Sequence, residues 1–354
     1  MISQEILSNI TFVSIITIIG SFSLVYYLIP KIIFMVNHHN LSEVPGLRSS
    51  HSRATPTMGG LSFFVALILN IFIFKLFDTS NIGLNLVAAL TVIFIIGLKD
   101  DLAVSSPKSR LLIEILAISI IFVHSDYHIR SLDGFMGLFE MPQLLLDGFH
   151  IIIALTIINA YNLIDGVDGL ASSLGISIFS MLGFVFFSMG LDFYWLICLS
   201  LICMLLAFMR YNFSHNKKIF MGDTGSLIIG FCMAILCLKF LTMDAVLFEA
   251  FTFKPENKLF VIAAIVVIPL FDLLRVIGVR LLQGESPFVA DRNHVHHALL
   301  DLGLAHYKIA LILGLLNYSL AIGIIFLSAY LNSFQMGVAF LVILIVFLMI
   351  FHRL

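Results

Sequence analysis

The sequence predicts an all-α membrane protein that crosses the bilayer many times. Hydrophobic residues make up 60% of its 354 residues and charged residues only 11%, and the mean hydropathy is +1.10. Apolar stretches recur along the whole chain, each about as long as the roughly 20 helical residues that cross a hydrocarbon core about 30 Å thick. Only short polar clusters separate them. We therefore expect a single transmembrane domain over residues 1–354.

Reading the apolar windows in order gives eleven candidate transmembrane helices. The fifth window is short, so ten crossings are the alternative. The first window has no basic leader and no small-residue cleavage site, which indicates a retained helix rather than a signal peptide. The windows lie near residues 6–29, 59–77, 83–98, 111–125, 148–163, 169–190, 193–210, 223–242, 259–281, 308–330 and 334–351.

Basic residues are distributed unevenly between the two sets of connecting loops. One set, together with the C-terminus, carries 14 of the 19 Lys and Arg residues. Because Lys and Arg in short loops mark the cytoplasmic side of a membrane protein, we expect this set to face the cytoplasm. The net charge of −2 comes without a basic block and gives nucleic-acid binding no electrostatic support. The other set carries Lys75, Arg130, Lys239, Lys254 and Lys258.

Paired carboxylates follow the third predicted span, in GLKDDLAVSSPKSR. Asp100 and Asp101 stand at a helix C-terminus, where the helix dipole and the neighbouring like charge each oppose ionisation by up to about 1 kcal/mol. A solvated loop pair is one interpretation. We favour a functional pair, because Lys108 and Arg110 follow closely and a metal-bound diphosphate requires carboxylates and basic groups together.

Amide and carboxylate side chains end the fifth predicted span, in NAYNLIDGVDGL. Asn159 and Asn162 lie one helical turn apart, and Asp165 lies one more turn on if the helix continues. Such groups are costly in hydrocarbon unless they are paired, so they usually face a polar cavity. We expect functional roles for these residues, whereas Asp168, which precedes a glycine, is expected to form a turn and cap the next helix.

The segment GDTGS has the glycines and hydroxyls of a helix N-terminus, and it directly precedes another apolar run. Such a terminus also attracts anions. We expect Asp223 to cap this helix and also to offer an oxygen to Mg²⁺, which prefers hard oxygen ligands.

The largest predicted cytoplasmic loop carries ADRNHVHH, with Arg292, His294, His296 and His297. A zinc site is one interpretation, but the spacing differs from the i, i+4 pair of a helical zinc site and no cysteine is near. A solvated loop is another. We favour recognition of phosphate by these histidines and the arginine.

Taken together, KDD, NxxNxxDGxDGL, GDTGSL and HxHH resemble the polyprenyl-phosphate N-acetylhexosamine-1-phosphate transferase family. The resemblance extends over nearly the whole chain, from HSRATPTMGG to HVHH. It implies an all-α polytopic fold and transfer of N-acetylhexosamine 1-phosphate from a UDP-sugar to a polyprenyl phosphate such as undecaprenyl phosphate, with release of UMP. ADRNHVHH is similar to the branch that transfers N-acetylglucosamine 1-phosphate. TPTMGG is similar to the phospho-N-acetylmuramoyl-pentapeptide branch, which stays the alternative.

The resemblance also implies a role for each candidate residue. It assigns Mg²⁺, with Mn²⁺ as the alternative ion, to Asn162 and Asp223, and it assigns Asp100 and Asp101 to the lipid phosphate as catalytic residues. The enzyme would work in the cytoplasmic membrane, with its active site facing the cytoplasm, in the first membrane step of cell-envelope polysaccharide synthesis; a homodimer is compatible with this. The implied substrate-binding residues are Lys108, Asn159, Asp165, Arg292, His294, His296 and His297.

A secondary transporter is the rival interpretation from another class, because intramembrane Asn and Asp residues can mark an ion pathway. That class predicts polar groups at the middle of the bilayer and two matching halves of the chain. The sequence instead gathers its polar groups at one predicted interface and has no visible internal repeat. A membrane scaffold without catalysis is a third interpretation.

Overall fold

The computed structural model describes residues 9–39, 41, 55–103, 106–251, 253–284 and 294–352. Within these ranges the chain is a bundle of α-helices without a β-strand, as the sequence predicts. Thirteen helices run in chain order as α1 Ile10–His38, α2 Gly60–Ile73, α3 Gly83–Leu102, α4 Pro107–Phe122, α5 Gln143–Leu163, α6 Leu170–Ser188, α7 Asp192–Asn212, α8 Gly222–Thr242, α9 Lys258–Ile265, α10 Val267–Leu282, α11 Val295–Asp301, α12 His306–Ser328 and α13 Ser333–His352.

Nine helices of the described chain are long and apolar enough to cross a membrane, and α9 with α10 forms a tenth, bent span. The predicted window 111–125 corresponds to α4, which also runs from one end of the bundle to the other. Arg110 near its start lies beside Asp223, and the Ile120 carbonyl near its end accepts from Asn85, near the start of α3, at 3.0 Å. Helix α4 has only 16 residues and begins earlier than this window, at Pro107, where the Ser106 hydroxyl accepts the Ser109 N–H at 3.2 Å.

Helix α8 lies at the centre of the bundle. It packs against α2, α3, α5 and α6, and 94% of an 18-residue stretch of this helix is buried within the protein. An apolar helix in a membrane can also face lipid, so the central place of α8 comes from its packing against these four helices and not from its hydropathy. Two glycines allow the close approach: a Cβ on Gly97 of α3 would lie 2.6 Å from Cα of Thr224, and a Cβ on Gly60 of α2 would overlap the backbone of Gly225. The first turn of α8 is therefore seated between α2 and α3.

The span formed by α9 and α10 is broken at Val266, where the two helix axes differ by 75°. A break leaves backbone groups without helical partners, and in a membrane these must be satisfied by other parts of the protein. Asn317 of α12, which is fully buried, supplies them. Its side-chain oxygen accepts the Ile268 N–H at 3.2 Å and its amide donates to the Ile265 carbonyl at 2.9 Å. The direction of α10 is thereby fixed.

Candidate active site

The ends of α3 and α8 meet through a carboxylate. Asp101 accepts hydrogen bonds from the backbone N–H of Asp223 at 2.7 Å, from the backbone N–H of Thr224 at 3.1 Å and from the Thr224 hydroxyl at 2.5 Å. Gly222, with φ +73°, turns the chain into the helix. The expectation that Asp223 caps its own helix is therefore wrong, because the carboxylate of Asp101 satisfies the free N–H groups of α8 from the neighbouring helix.

Asp223 is thus left to face outward beside Asn162. The Asn162 amide donates to Oδ1 of Asp223 at 2.8 Å and to the Ser226 hydroxyl at 2.7 Å. The Asp223 side chain keeps 39% of its surface exposed. Among the described residues, the side-chain oxygen of Asn162 has no hydrogen-bond donor. An amide oxygen and a half-exposed carboxylate therefore lie side by side at one end of the bundle.

Asp165 follows α5, which ends at Leu163, so it lies in a turn and not one helical turn beyond Asn162. It belongs to a group of mutually repelling carboxylates. Burial, and then the negative charges of Asp223, Asp168 and Asp101, raise the pKa of Asp165 well above its ordinary value. The pKa of Asp168 is lowered. Its burial opposes this, but hydrogen bonds and ion pairs with His306 at 3.0 Å and Lys218 at 2.7 Å outweigh the burial.

Asp168 therefore holds loops together through these two ion pairs. Contrary to expectation, its side chain does not cap α6, whose N-terminal cap residue is Gly169 without a side-chain hydrogen bond. The structural role predicted for Asp168 remains, but the partners are a lysine and a histidine from other elements.

A buried network connects α4 to the carboxylates. Nε of Arg110 lies 3.0 Å from Oε1 of Glu114, and Nη1 of the same guanidinium lies 3.5 Å from Oδ1 of Asp223. Oε2 of the fully buried Glu114 accepts a hydrogen bond from Asn159 at 2.7 Å. In the described part of the chain, Nη2 of Arg110 and Oδ1 of Asp100 are buried without a hydrogen-bond partner. The hydrogen-bonding capacity of these two atoms is therefore unused within that part of the chain.

The histidine segment reaches the same end of the bundle from α10 and α11. Nδ1 of His294 lies 2.7 Å from Oδ2 of Asp272, and the His294 and His296 rings stack with centroids 5.3 Å apart and planes 10° apart. The ring of His296 packs on Gly166, where a Cβ would overlap it. Burial is the main cause that lowers the pKa of His296 to about 3, so this ring is neutral at physiological pH.

A zinc ion is the alternative interpretation of these histidines. One ligand atom each from Asp272, His294 and His296 lie within 4.8 Å of one another. Two ligands about 2.0–2.2 Å from a tetrahedral ion stand roughly 3.3–3.6 Å apart. The 2.7 Å between Nδ1 of His294 and Oδ2 of Asp272 is instead a hydrogen-bond distance. The geometry favours a shared proton over a shared metal ion.

The part of the chain that carries Asp101, Asn162 and Asp223 is similar to a known family: the model of glycosyl transferase family 4 matches residues 83–241. A probable undecaprenyl-phosphate N-acetylglucosaminyl 1-phosphate transferase of Bacillus subtilis (strain 168) is 30% identical over 310 residues, which cover 87% of this chain and 82% of the relative. The chain belongs to glycosyl transferase family 4. Undecaprenyl-phosphate alpha-N-acetylglucosaminyl 1-phosphate transferases of Salmonella typhi and Escherichia coli (strain K12) are 29% and 30% identical over 269 residues, covering 74% of this chain and 70% of each relative.

The matched part of this family 4 chain contains most of the predicted site residues. Asp101 and Asn162 bond directly to Asp223, and Asp165 lies close enough for the charges of Asp223 and Asp101 to act on it. Asn159 contacts the site through Glu114, and His294 and His296 reach it through Gly166 from outside the matched range.

Two predicted basic residues are not part of the described site. Lys108 lies on the exposed surface of α4, and among the described residues it has no ion pair. Arg292 lies outside the described residues. The ring of His297 lies beside the other two histidines, with its centroid 4.5 Å from that of His296 and the two planes tilted by 47°.

Three residues that contribute to the site are not predicted as functional from the sequence. The motifs place Arg110 only as a neighbour of the aspartates, and they do not include Glu114 or Asp272. Both acids stand alone in apolar runs, LLIEILAI and IPLFDLLRV. An isolated carboxylate in a membrane helix is costly unless it has a partner, and that cost is the signal that could have identified them.

The donor atoms at this site fit a hard divalent cation. The carboxylates of Asp223 and Asp165 and the free amide oxygen of Asn162 are all oxygen ligands, which Mg²⁺ prefers, while no cysteine of the described chain is near. Burial, and then the charges of Asp223, Asp168 and Asp101, raise the pKa of Asp165, and a bound cation would offset this effect.

Proposed function

We propose that this family 4 chain transfers N-acetylglucosamine 1-phosphate from UDP-N-acetylglucosamine to undecaprenyl phosphate. In this reaction an oxygen of the lipid phosphate forms a bond to the β-phosphorus of the donor. The bond from that phosphorus to the bridging oxygen breaks, and UMP leaves with the electron pair. The named activity of the three relatives supports undecaprenyl phosphate as the acceptor and N-acetylglucosamine 1-phosphate as the transferred group.

The observation that carries the proposal is the pairing of Asp223 with Asn162 at 2.8 Å beside Arg110. Phosphoryl transfer depends mainly on positioning and on neutralising developing charge. Mg²⁺, held by Asp223, Asn162 and Asp165, would supply that charge to the diphosphate. Arg110 contributes a fixed positive charge, because Glu114 holds its Nε and leaves Nη2 for a phosphate oxygen.

Asp100 and Asp101 have different roles in this proposal. Asp101 is engaged by three donors of α8, so we assign it to positioning. Asp100, with its buried and unpartnered Oδ1, is the better candidate for orienting or deprotonating the lipid phosphate. Polyprenyl phosphate is already an anionic nucleophile near neutral pH, which favours direct attack over an aspartyl-phosphate intermediate.

Membrane orientation belongs to the same proposal. The carboxylates and histidines gather at one end of the bundle, next to the loops that carry most Lys and Arg residues, so this end faces the cytoplasm of a bacterial inner membrane. Soluble nucleotide-sugar would enter there, and the lipid phosphate would enter from the bilayer. A transporter would instead require polar groups at mid-bilayer.

The test is a reconstituted transfer assay with purified protein, undecaprenyl phosphate and a panel of UDP-sugars. We expect UMP release and an organic-extractable labelled lipid with UDP-N-acetylglucosamine, both dependent on Mg²⁺, and neither with the muramoyl-pentapeptide donor. Preference for the muramoyl-pentapeptide donor would move the chain to the other branch. No transfer with any donor would contradict the proposed function.

A further inference from the structure

A buried carboxylate in the broken span holds the beginning of the histidine segment. Asp272 of α10 has an exposed fraction of 1%. Its Oδ2 lies 2.7 Å from Nδ1 of His294, and its Oδ1 accepts the backbone N–H of Val295 at 2.7 Å. Both oxygens are therefore engaged within the protein, and any effect of Asp272 on a ligand must pass through His294.

These two contacts determine where the His294 ring carries its proton. The Val295 N–H can only donate, so it occupies Oδ1. Oδ2 of an aspartate only accepts, so Nδ1 of His294 must be protonated to donate to it. Among the described residues, Nε2 of His294 has no hydrogen-bond partner. It is the ring nitrogen left for a ligand.

Other contacts hold the ring in place and connect it to the carboxylate site. His296 stacks on His294 with centroids 5.3 Å apart, and His296 in turn packs on Gly166, the neighbour of Asp165. Asn317 fixes the direction of α10 by bonding both sides of the helix break. Asp272 is therefore set in a rigid position from which it can orient His294.

We propose that Asp272 is a positioning residue, which fixes the protonated Nδ1 of His294 and thereby leaves Nε2 to contact a phosphate oxygen of the donor. The inference rests on the proposed function for the identity of the ligand. The contact between Asp272 and His294 is independent of it. An aspartate has the same relation to histidine in Ser-His-Asp hydrolases, where an asparagine in its place reverses the tautomer and lowers kcat by about 10⁴.

Asp272→Asn is the informative substitution, because it keeps the shape of the side chain. The Val295 N–H would still occupy the oxygen, so the new amide N–H would face Nδ1 and force the proton to Nε2. We expect kcat/KM to fall tenfold or more. Asp301→Asn is the matched control: it is the same chemical change, on an exposed aspartate at the end of α11, and it should stay within twofold of the wild type.

A double-mutant cycle separates positioning from a general structural role. If Asp272 acts through His294, Asp272→Asn combined with His294→Gln should be no more than about threefold worse than His294→Gln alone. Independent, multiplying losses would overturn the proposal. So would an Asp272→Asn protein that keeps its activity within twofold of the wild type.

The ¹⁵N NMR spectrum of histidine-labelled full-length protein in nanodiscs, without substrates, gives a second readout. The His294 signal is identified by its loss in His294→Gln. We expect Nδ1 to be protonated in the wild type and the proton to move to Nε2 in Asp272→Asn. An unprotonated Nδ1 in the wild type would overturn the proposal even if Asp272→Asn failed to fold. If the wild type transfers no sugar phosphate, the proposed function fails, while this spectrum still decides the Asp272–His294 relationship.

Discussion

Asp101, next to last in α3, accepts the backbone N–H of Asp223, the second residue of α8, at 2.7 Å. The same carboxylate accepts two more hydrogen bonds from Thr224. One aspartate therefore completes the end of the central helix, and the other keeps 39% of its side chain exposed beside Asn162. Substitutions of the two residues should have different consequences.

Asp101→Ala should lower the stability of the protein by about 1–3 kcal/mol, because it leaves buried N–H groups of α8 without an acceptor. Asp100→Ala removes a carboxylate whose Oδ1 has no partner among the described residues, so it should lower activity with little loss of stability. Thermal unfolding in detergent, measured beside transfer activity, distinguishes the two. Equal unfolding temperatures for both variants would contradict the capping role of Asp101.

Asp223→Asn should abolish transfer while the protein stays folded and inserted. The amide oxygen can still accept the hydrogen bond from Asn162, but the negative charge that would hold Mg²⁺ is lost. Stability should be preserved because Asp101, and not Asp223, caps the helix. A variant that keeps more than about a tenth of the wild-type rate at saturating Mg²⁺ would exclude Asp223 as a metal ligand.

Gly97→Ala should destabilise the bundle by about 1–3 kcal/mol, because the added methyl group would lie 2.6 Å from Cα of Thr224 and would push α3 away from α8. Gly20→Ala in α1 is the matched control, since no atom lies within 4 Å of its added Cβ. Unfolding temperatures of the two variants provide the measurement. A tolerated Gly97→Ala would show that the helices do not approach this closely.

His294→Ala should lower kcat/KM roughly tenfold or more, the effect of losing a hydrogen bond to a charged group worth about 1.5–3 kcal/mol. The purified wild type should contain no zinc, because Asp272 and His294 share a hydrogen bond. Mass spectrometry of metal content, beside kinetics, checks both. Near-stoichiometric zinc that disappears in His294→Ala would favour the zinc interpretation.

Cysteine labelling should show the orientation of the bundle. The four native cysteines, Cys198, Cys203, Cys232 and Cys237, are buried and should react slowly. A new cysteine at the exposed position His215, near the carboxylate end, should react only with reagent that reaches the cytoplasm. One at the exposed position Glu140 should react from outside. The reverse pattern would place the candidate active site outside the cell.

Much of the fold could be predicted from the sequence, because membrane helices are identified by length and hydropathy alone. The break between α9 and α10 has a local signal in the sequence, because Pro269 has no N–H to donate to the Ile265 carbonyl four residues earlier. The partner of that carbonyl could not be predicted, since Asn317, which bonds the backbone on both sides of Val266, lies on α12, far along the chain.

The sequence predicts which residues form the candidate site better than it predicts the role of each residue. Motif spacing identified Asp101, Asn162 and Asp223, but which aspartate caps α8 depends on how α3 and α8 pack, and periodicity does not specify this. Lys108 and Arg110 are only two residues apart, yet just the second reaches Asp223, because residues i and i+2 of a helix face different directions.

The most direct test of the central claim follows both the sugar and its phosphate in one reaction. UDP-N-acetylglucosamine carrying ³H in the sugar and ³²P in the β-phosphate is incubated with the reconstituted protein, undecaprenyl phosphate and Mg²⁺. If the chain transfers sugar 1-phosphate, both labels enter the organic-extractable lipid in a 1:1 ratio and unlabelled UMP is released in equal amount. Entry of ³H without ³²P, with release of labelled UDP, would contradict the account, as would the absence of both labels from the lipid.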